Sequence, residues 1–321
     1  MRHYLGMPPS YVYQITKYDP EDRDERGAYT GPLNTMSDHG VVEAAYLRTV
    51  AAFAASNDVT WLAIREPEIP GFINFGLEAP IPGHGLNGLF PADLTGYHDG
   101  AHVPLHIGLD LVRAMLRDNG AWCRLEVEDR FLVHVGYDQY VYVGSLVPGD
   151  TAIAFAAEHH LFVERINVSP WAHEDDAASE PRPADQDFWA KVTAEAARRG
   201  AVLLQEQYVA NGNHWYRIGA GDVDSVRTRL TPRARLAVWP DLSSDIVATL
   251  AEVPVDDVVE VVWQEHDSSI TGMTSTGLDH ETQTKIIARA TAITVLADPA
   301  NALLTAVLPD PDGVIRARWR I

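Results

Sequence analysis

"AWCRLEVEDRFLVHVGYDQYVYVGS", residues 121–145, decides the class of fold, because it reads as three short antiparallel strands. Alternation of period two sets Cys123, Leu125 and Val127 on one face of the first strand, and Phe131, Val133 and Val135 on one face of the second. The chain turns near Glu128-Asp129 and again near Tyr137-Asp138. Just upstream, Pro104 suits a first helical turn, Leu105, Leu109, Val112 and Leu116 form one apolar stripe, and Gly120 supplies a left-handed stop. Just downstream, "DTAIAFAAEHHLF" (150–162) closes the unit as a helix, with His159 and His160 at the end that favours positive charge.

Farther out the pattern stays mixed. "YVYQITKY" (11–18) alternates as a strand and is broken by the charged "DPEDRDERG" (19–27). In "SDHGVVEAAYLRTVAAFAASN" (37–57), Ser37 or Asp38 is the expected N-cap of a helix that buries Val42, Ala45, Tyr46, Val50 and Phe53. "TWLAIREPEI" (60–69) follows as a strand ended by proline, and residues 66–100 are rich in Gly and Pro.

An acidic stretch at 171–186 is the expected linker. Beyond it come a helix at 187–199, a hairpin turning at Asn211-Gly212, a second hairpin at 258–273, a helix over 280–297 and a terminal hairpin turning at Asp312-Gly313. The expected fold is α+β, with two α/β units in which a helix leads into antiparallel hairpins or a meander. The domains are 1–170 and 187–321. "LRDNGAWCRLEVE" and "ARRGAVLLQEQ" both run from helix through Gly-Ala into a strand, which fits either related halves or shared helix-stop chemistry.

The chain of 321 residues is 46% hydrophobic and carries a formal charge of −20. Residues 1–180 hold 11 Lys and Arg against 26 Asp and Glu, so the acidity sits in the first half. Such a field opposes phosphate backbones and anionic lipid, and a basic protein is the favoured partner class. No membrane partner is expected, and a cytoplasmic protein is the simplest reading, since no run of about 18 apolar residues occurs. The single Cys123 excludes an internal disulfide framework and a cysteine zinc site, and it reads as a small buried hydrophobe. No phosphate-binding loop, nucleophile elbow, His-Glu-x-x-His helix or RNA-recognition strand is present; "PGHGLNG" (82–88) lacks the flanking elements and the lysine.

"YHDGAHVPLH" (97–106) is the densest chemical cluster. His98, His102 and His106 stand four apart, but Gly100 weakens a helix and Pro104 would cost about 3 kcal/mol inside one. The plain reading is a polar loop before a helix. The catalytic alternative joins His98, Asp99 and His102 to His134, whose place mid-strand allows a general base if its face is covered. No metal ligand set is assigned, and the cofactor is left open.

Tyr137, Tyr140 and Tyr142 suit sheet packing, protein docking or base stacking, and His214 with Trp215, just past a turn, suits partner contact. Arg227, Arg229, Arg233 and Arg235 form a local basic group, as do Arg316, Arg318 and Arg320, and Arg233 and Arg235 are the candidate RNA contacts. "REPE" (65–68) and "DRDER" (22–26) read as solvated salt-bridging loops.

"YVYQITKYDPEDRDERG", "IREPEI" and "LVRAMLRDNGAWCRLEVEDRFLVHVGYDQYVYVG" resemble segments of an uncharacterised actinobacterial protein family sometimes labelled RNA-binding. The resemblance covers most of the chain and implies RNA contact without a mechanism or functional residues. Three functions follow as expectations. The first is a non-enzymatic cytosolic binding or adaptor protein acting through the acidic first half. The others are an RNA binder using the Arg-rich second half, and a hydrolase-like enzyme with a His/Asp site in the 66–106 loop.

Overall fold

The computed structural model describes residues 9–69, 85–167, 169–170, 182–254, 257–296 and 301–318. Among them the α+β class holds, with seven α-helices and three antiparallel sheets of seven, four and three strands. The chain divides into an N-terminal unit, Arg2–Pro67 with Gly83–Ser179, and a C-terminal unit, Glu68–Pro82 with Glu180–Ile321. Up to residue 181, the expected linker at 171–186 lies outside the described residues.

The N-terminal unit is a helical layer on a sheet. Its strands are β1 (Tyr11–Thr16), β2 (Trp61–Glu68), β3 (His102–Pro104), β4 (Trp122–Val127), β5 (Phe131–Val135), β6 (Val141–Ser145) and β7 (Phe162–Ile166), in the order β3-β2-β4-β5-β6-β1-β7. The meander supplies β4, β5 and β6, with Leu125 opposite Val133 and Val133 opposite Val143. Cys123, Leu125, Phe131, Val133, Val135 and Val143 are buried, and burial pushes the Cys123 thiol up to about 12.

Helices α1 (Val41–Ser56), α2 (Leu105–Leu116) and α3 (Asp150–Glu158) form the other layer. The Asp38 carboxylate accepts from the backbone N–H groups of Gly40, Val42 and Glu43, which satisfies donors that the first turn of α1 leaves open. Opposing the burial that would raise it, these bonds hold the Asp38 carboxyl below the usual range. Gly108 lets α2 approach β2 closely, because a methyl group there would overlap Leu62. After α2 the left-handed positions are Asp118 (φ 49°) and Gly120 (φ 73°), so aspartate shares the stop expected of glycine alone.

His102 and Val103, expected as loop, and Pro104, expected in the first helical turn, instead pair with β2 through Leu62 opposite Val103, and α2 begins at Leu105. The reason is an available strand edge: Ile64 N donates to Ala101 O at 2.8 Å, and Gly100 N to Ile64 O at 2.7 Å, drawing the segment alongside.

The C-terminal unit has four layers. Helices α4 (Gln186–Arg199) and α5 (Val223–Arg227) cover a sheet of β8 (Val202–Val209), β9 (Gly212–Ile218), β10 (Arg235–Pro240) and β14 (Leu304–Val307), in the order β14-β10-β8-β9. A second sheet of β11 (Val258–Glu265), β12 (Ile270–Thr276) and β13 (Ala290–Leu296) packs against it. Helices α6 (Ile246–Ala251) and α7 (His280–Arg289) close the far side. Leu203, Trp215, Trp239, Val262 and Ala292 fill the space between the sheets, while Val259, Val261, Trp263 and Ile293 face Leu250 and Ile286 of the helices.

Two expected elements differ. The helix over 280–297 ends at Arg289, because Ala290–Leu296, rich in β-branched side chains, pairs with β11. The terminal hairpin keeps a turn, with Gly313 N donating to Asp310 O, but among the described residues only its first arm, β14, is a strand. That arm pairs with β10 instead.

Gly149, just before α3, lies against the fully buried ring of Phe53 in α1. Gly149→Ala puts a methyl group into that ring, so urea unfolding should show a loss of about 1–3 kcal/mol.

Candidate functional site

Charged side chains are drawn into the N-terminal sheet where β2 meets the segment 97–101. β2 carries Arg65 and Glu66, and the neighbouring β4 carries Arg124 and Glu126. Asp99, 1% exposed, receives Arg65 Nη1 on Oδ2 at 2.7 Å and the backbone N–H of Glu66 on Oδ1 at 3.0 Å. Arg65 Nε also stands 3.0 Å from Glu126 Oε1, and Arg124 Nη1 stands 3.5 Å from Glu66 Oε1.

Glu66 has φ of 50°, a left-handed conformation that costs a non-glycine residue about 1–3 kcal/mol. The Asp99 carboxylate offsets that cost by bonding the rotated N–H and by neutralising Arg65. The "REPE" segment is therefore not a solvated loop. Arg65 and Glu66 are buried in a strand, where the requirement to neutralise buried charge overrides their usual exposure.

His98 is half-buried with Nδ1 3.0 Å from the Asp99 carbonyl, and His102 is exposed on β3 opposite Ala63. His134, on β5, is 3% exposed; its ring stacks on Tyr142 at 4.9 Å, and Nε2 is 3.4 Å from Ser169 Oγ. Tyr140 faces a different cluster, 5.7 Å from the Tyr18 ring, and its hydroxyl receives Arg23 at 2.8 Å. Tyr137 is 76% exposed. Among the described residues, no group of three or more His, Cys, Asp and Glu is placed to hold a metal ion.

A second buried carboxylate lies in the C-terminal unit. Glu206, fully buried on β8, accepts from the hydroxyl of Tyr216 at 2.8 Å and from the backbone N–H of Thr231. It also pairs with His214 Nδ1 at 3.2 Å. Burial alone would push its carboxyl up; the donors His214, Thr231 and Tyr216 outweigh burial and hold it below the ordinary value. An ionised Glu206 only accepts, so Nδ1 of His214 carries the proton in this pair. The His214 ring stacks on Tyr208 at 4.4 Å, whereas Trp215, on the opposite face of β9, packs between the sheets.

Glu206 was not among the sequence candidates. Its signal was register: in "AVLLQEQYV" it shares a face with Val202, Leu204 and Tyr208, so a carboxylate stands on an apolar face.

The arginines of 227–235 are dispersed. Arg233 makes a bidentate pair with Asp310 at 2.7 and 2.9 Å, and Arg316 joins the same carboxylate. Arg227 pairs with Asp224 at 3.3 Å, while Arg229 lies over the Tyr216 ring. Arg235 is half-buried, and that burial lowers its pKa. Among the described residues no helix is long and apolar enough to cross a membrane. Comparison with family models, with curated proteins and with solved structures returns no match.

Asp99→Asn removes one of the two carboxylates that meet Arg65 inside the sheet, and urea unfolding should show a loss of about 1–3 kcal/mol. His102→Ala, at an exposed position, should stay within about 0.5 kcal/mol. Glu206 should govern part of the acid limb of stability. Its depressed carboxyl contributes above the unfolded value of 4.5, and that contribution is lost as pH falls through the lower folded value. Glu206→Gln should therefore flatten the stability profile below pH 4.5; an unchanged acid limb would contradict this assignment.

Proposed function

We propose that the chain is a non-enzymatic cytosolic binding protein whose acidic N-terminal half recognises a basic protein partner. The observation that carries this reading is that the acidic segment at 19–28 is folded against the sheet. Asp19 caps the turn Pro20–Asp22 by accepting from Glu21 N, and Asp24 Oδ1 accepts from Arg26 N and Ala28 N. Arg23 points back to the Gly27 carbonyl and the Tyr140 hydroxyl, and the Tyr29 ring lies 5.0 Å from Tyr18. Glu21, Asp22, Asp24 and Glu25 are left exposed on this scaffold.

Apolar side chains accompany the carboxylates. Lys17 joins the Met36 carbonyl at 3.2 Å to Gln139 Oε1 at 2.9 Å, which holds the segment at Met36 beside the turn bearing Tyr137. Leu33, Met36 and Tyr137 are 66%, 64% and 76% exposed. Carboxylates around exposed apolar groups suit a partner segment that carries lysine or arginine beside apolar residues.

RNA is the competing reading. It receives less support, because Arg233 is held bidentate by Asp310 and Arg235 is half-buried, whereas phosphate contact needs presented cations. The hydrolase reading rests on Asp99 and the nearby histidines; Asp99 is held by Arg65 and the Glu66 backbone.

Capture from a native extract with the whole chain as bait tests the proposal. A partner rich in Lys and Arg should be retained, eluted by salt, and lost with the triple variant Glu21→Lys, Asp24→Lys, Glu25→Lys. Retention of nucleic acid that survives this variant but falls with Arg233→Glu and Arg235→Glu would sink the proposal in favour of RNA. Recovery of nothing above background would also count against it.

A further inference from the structure

Glu260 on β11 is the one described carboxylate that reaches from one sheet of the C-terminal unit to side-chain amides of the other. Its Oε1 accepts from Asn213 Nδ2 on β9 at 2.9 Å, and its Oε2 accepts from Gln205 Nε2 on β8 at 3.2 Å. Gln205 is itself oriented by Trp239, whose Nε1 donates to Oε1 at 3.0 Å. Close packing confines the site: a methyl group added at Gly272 would lie 3.0 Å from Trp215 Nε1 and 3.5 Å from Glu260 Oε1.

Among the described residues, the side chains bonded to Glu260 are amides and not a matched cation. On β12 and β13 the residues opposite Glu260 are Thr274 and Leu296. The charged groups on the facing side of the other sheet are Arg217 of β9 and Arg235 of β10. Arg217 is held bidentate by Asp241 at 2.7 Å, and at Glu260 burial is opposed by the amide of Asn213, with Gln205 a second amide donor. Asn213 Oδ1 is buried without a hydrogen-bond donor, although its own amide already reaches Glu260. A carboxyl proton is the kind of donor that such a site lacks, and a buried carboxylate without a cation is disfavoured.

We infer that a protonated Glu260 joins the two sheets of the C-terminal unit, and that loss of its proton loosens their packing, making this interface pH-responsive. Burial, opposed by the Asn213 bond, pushes the Glu260 carboxyl up to about 7. The sign follows directly. A carboxyl raised by folding keeps its proton in the folded chain where the unfolded chain has lost it. Its stabilising contribution is complete below the unfolded value of 4.5, declines as pH rises to about 7, and changes no further above that.

The test uses the full chain and Glu260→Gln, which mimics the neutral acid and keeps an acceptor for Asn213. Urea unfolding from pH 4.5 to 8 should show the unfolding constant of wild type rising relative to the variant by up to roughly 300-fold, the size of the shift from 4.5 to about 7. Carbon-13 NMR of labelled glutamate carboxyls should show one titration near pH 7. In a folded variant that resonance is missing, and the wild-type titration decides the matter if the variant does not fold. Parallel stability profiles for the two proteins, or a Glu260 carboxyl titrating near the ordinary value of 4.5, would overturn the inference.

Discussion

A charged group placed in a β-sheet must find its counterpart on the next strand or on the loop that crosses it, and this constraint shapes both units. In the N-terminal unit, Arg65 enters the sheet only because Asp99 and Glu126 meet it at 2.7 and 3.0 Å. The same Asp99 carboxylate bonds the N–H of Glu66, so one side chain neutralises a cation and stabilises a left-handed residue within β2. Removing one member of such a set leaves another charge buried, which is why these positions are coupled to folding. The cluster at 97–101 thereby gains a structural explanation that needs no substrate.

The C-terminal unit meets the same constraint differently. Glu206 is neutralised by three donors that the surrounding elements aim at it, and it stays ionised. Glu260 has two amides and is pushed toward its neutral form. Two carboxylates on neighbouring sheets are thus set apart by their donors. Part of the chain's −20 is displayed on the folded segment at 19–28, where Glu21, Asp22, Asp24 and Glu25 are exposed. That segment is anchored through Tyr18, just after β1, and Tyr140, just before β6, so its carboxylates are displayed on a scaffold.

Much of the fold was legible in local pattern. The meander was readable because apolar side chains alternate at Cys123, Leu125 and Val127 and again at Phe131, Val133 and Val135, and the hairpin at 201–219 because Asn211-Gly212 turns it. The segment 280–297 misled because "KIIARATAITVLA" keeps an apolar rhythm through Arg289. What ends the helix is pairing of Ala290–Leu296 with β11, a long-range contact that local spacing does not encode. The short strand at His102–Pro104 was hidden for the same reason, since its partner lies about forty residues earlier on β2. The site was less legible. "REPE" has the composition of a solvated loop, and its burial depends on Asp99 and Arg124, distant in sequence. Glu206 and Glu260 could have been found, because each is a carboxylate in the apolar register of a strand.

The central claim is that the chain acts through the acidic scaffold at 19–28 and that its buried charges serve the fold. Zero-length carboxyl-to-amine cross-linking in native extract, followed by mass spectrometric mapping, tests it most directly. The account predicts links from partner lysines to Glu21, Asp24 or Glu25. Intermolecular links confined to the C-terminal unit, or none at all, would contradict it.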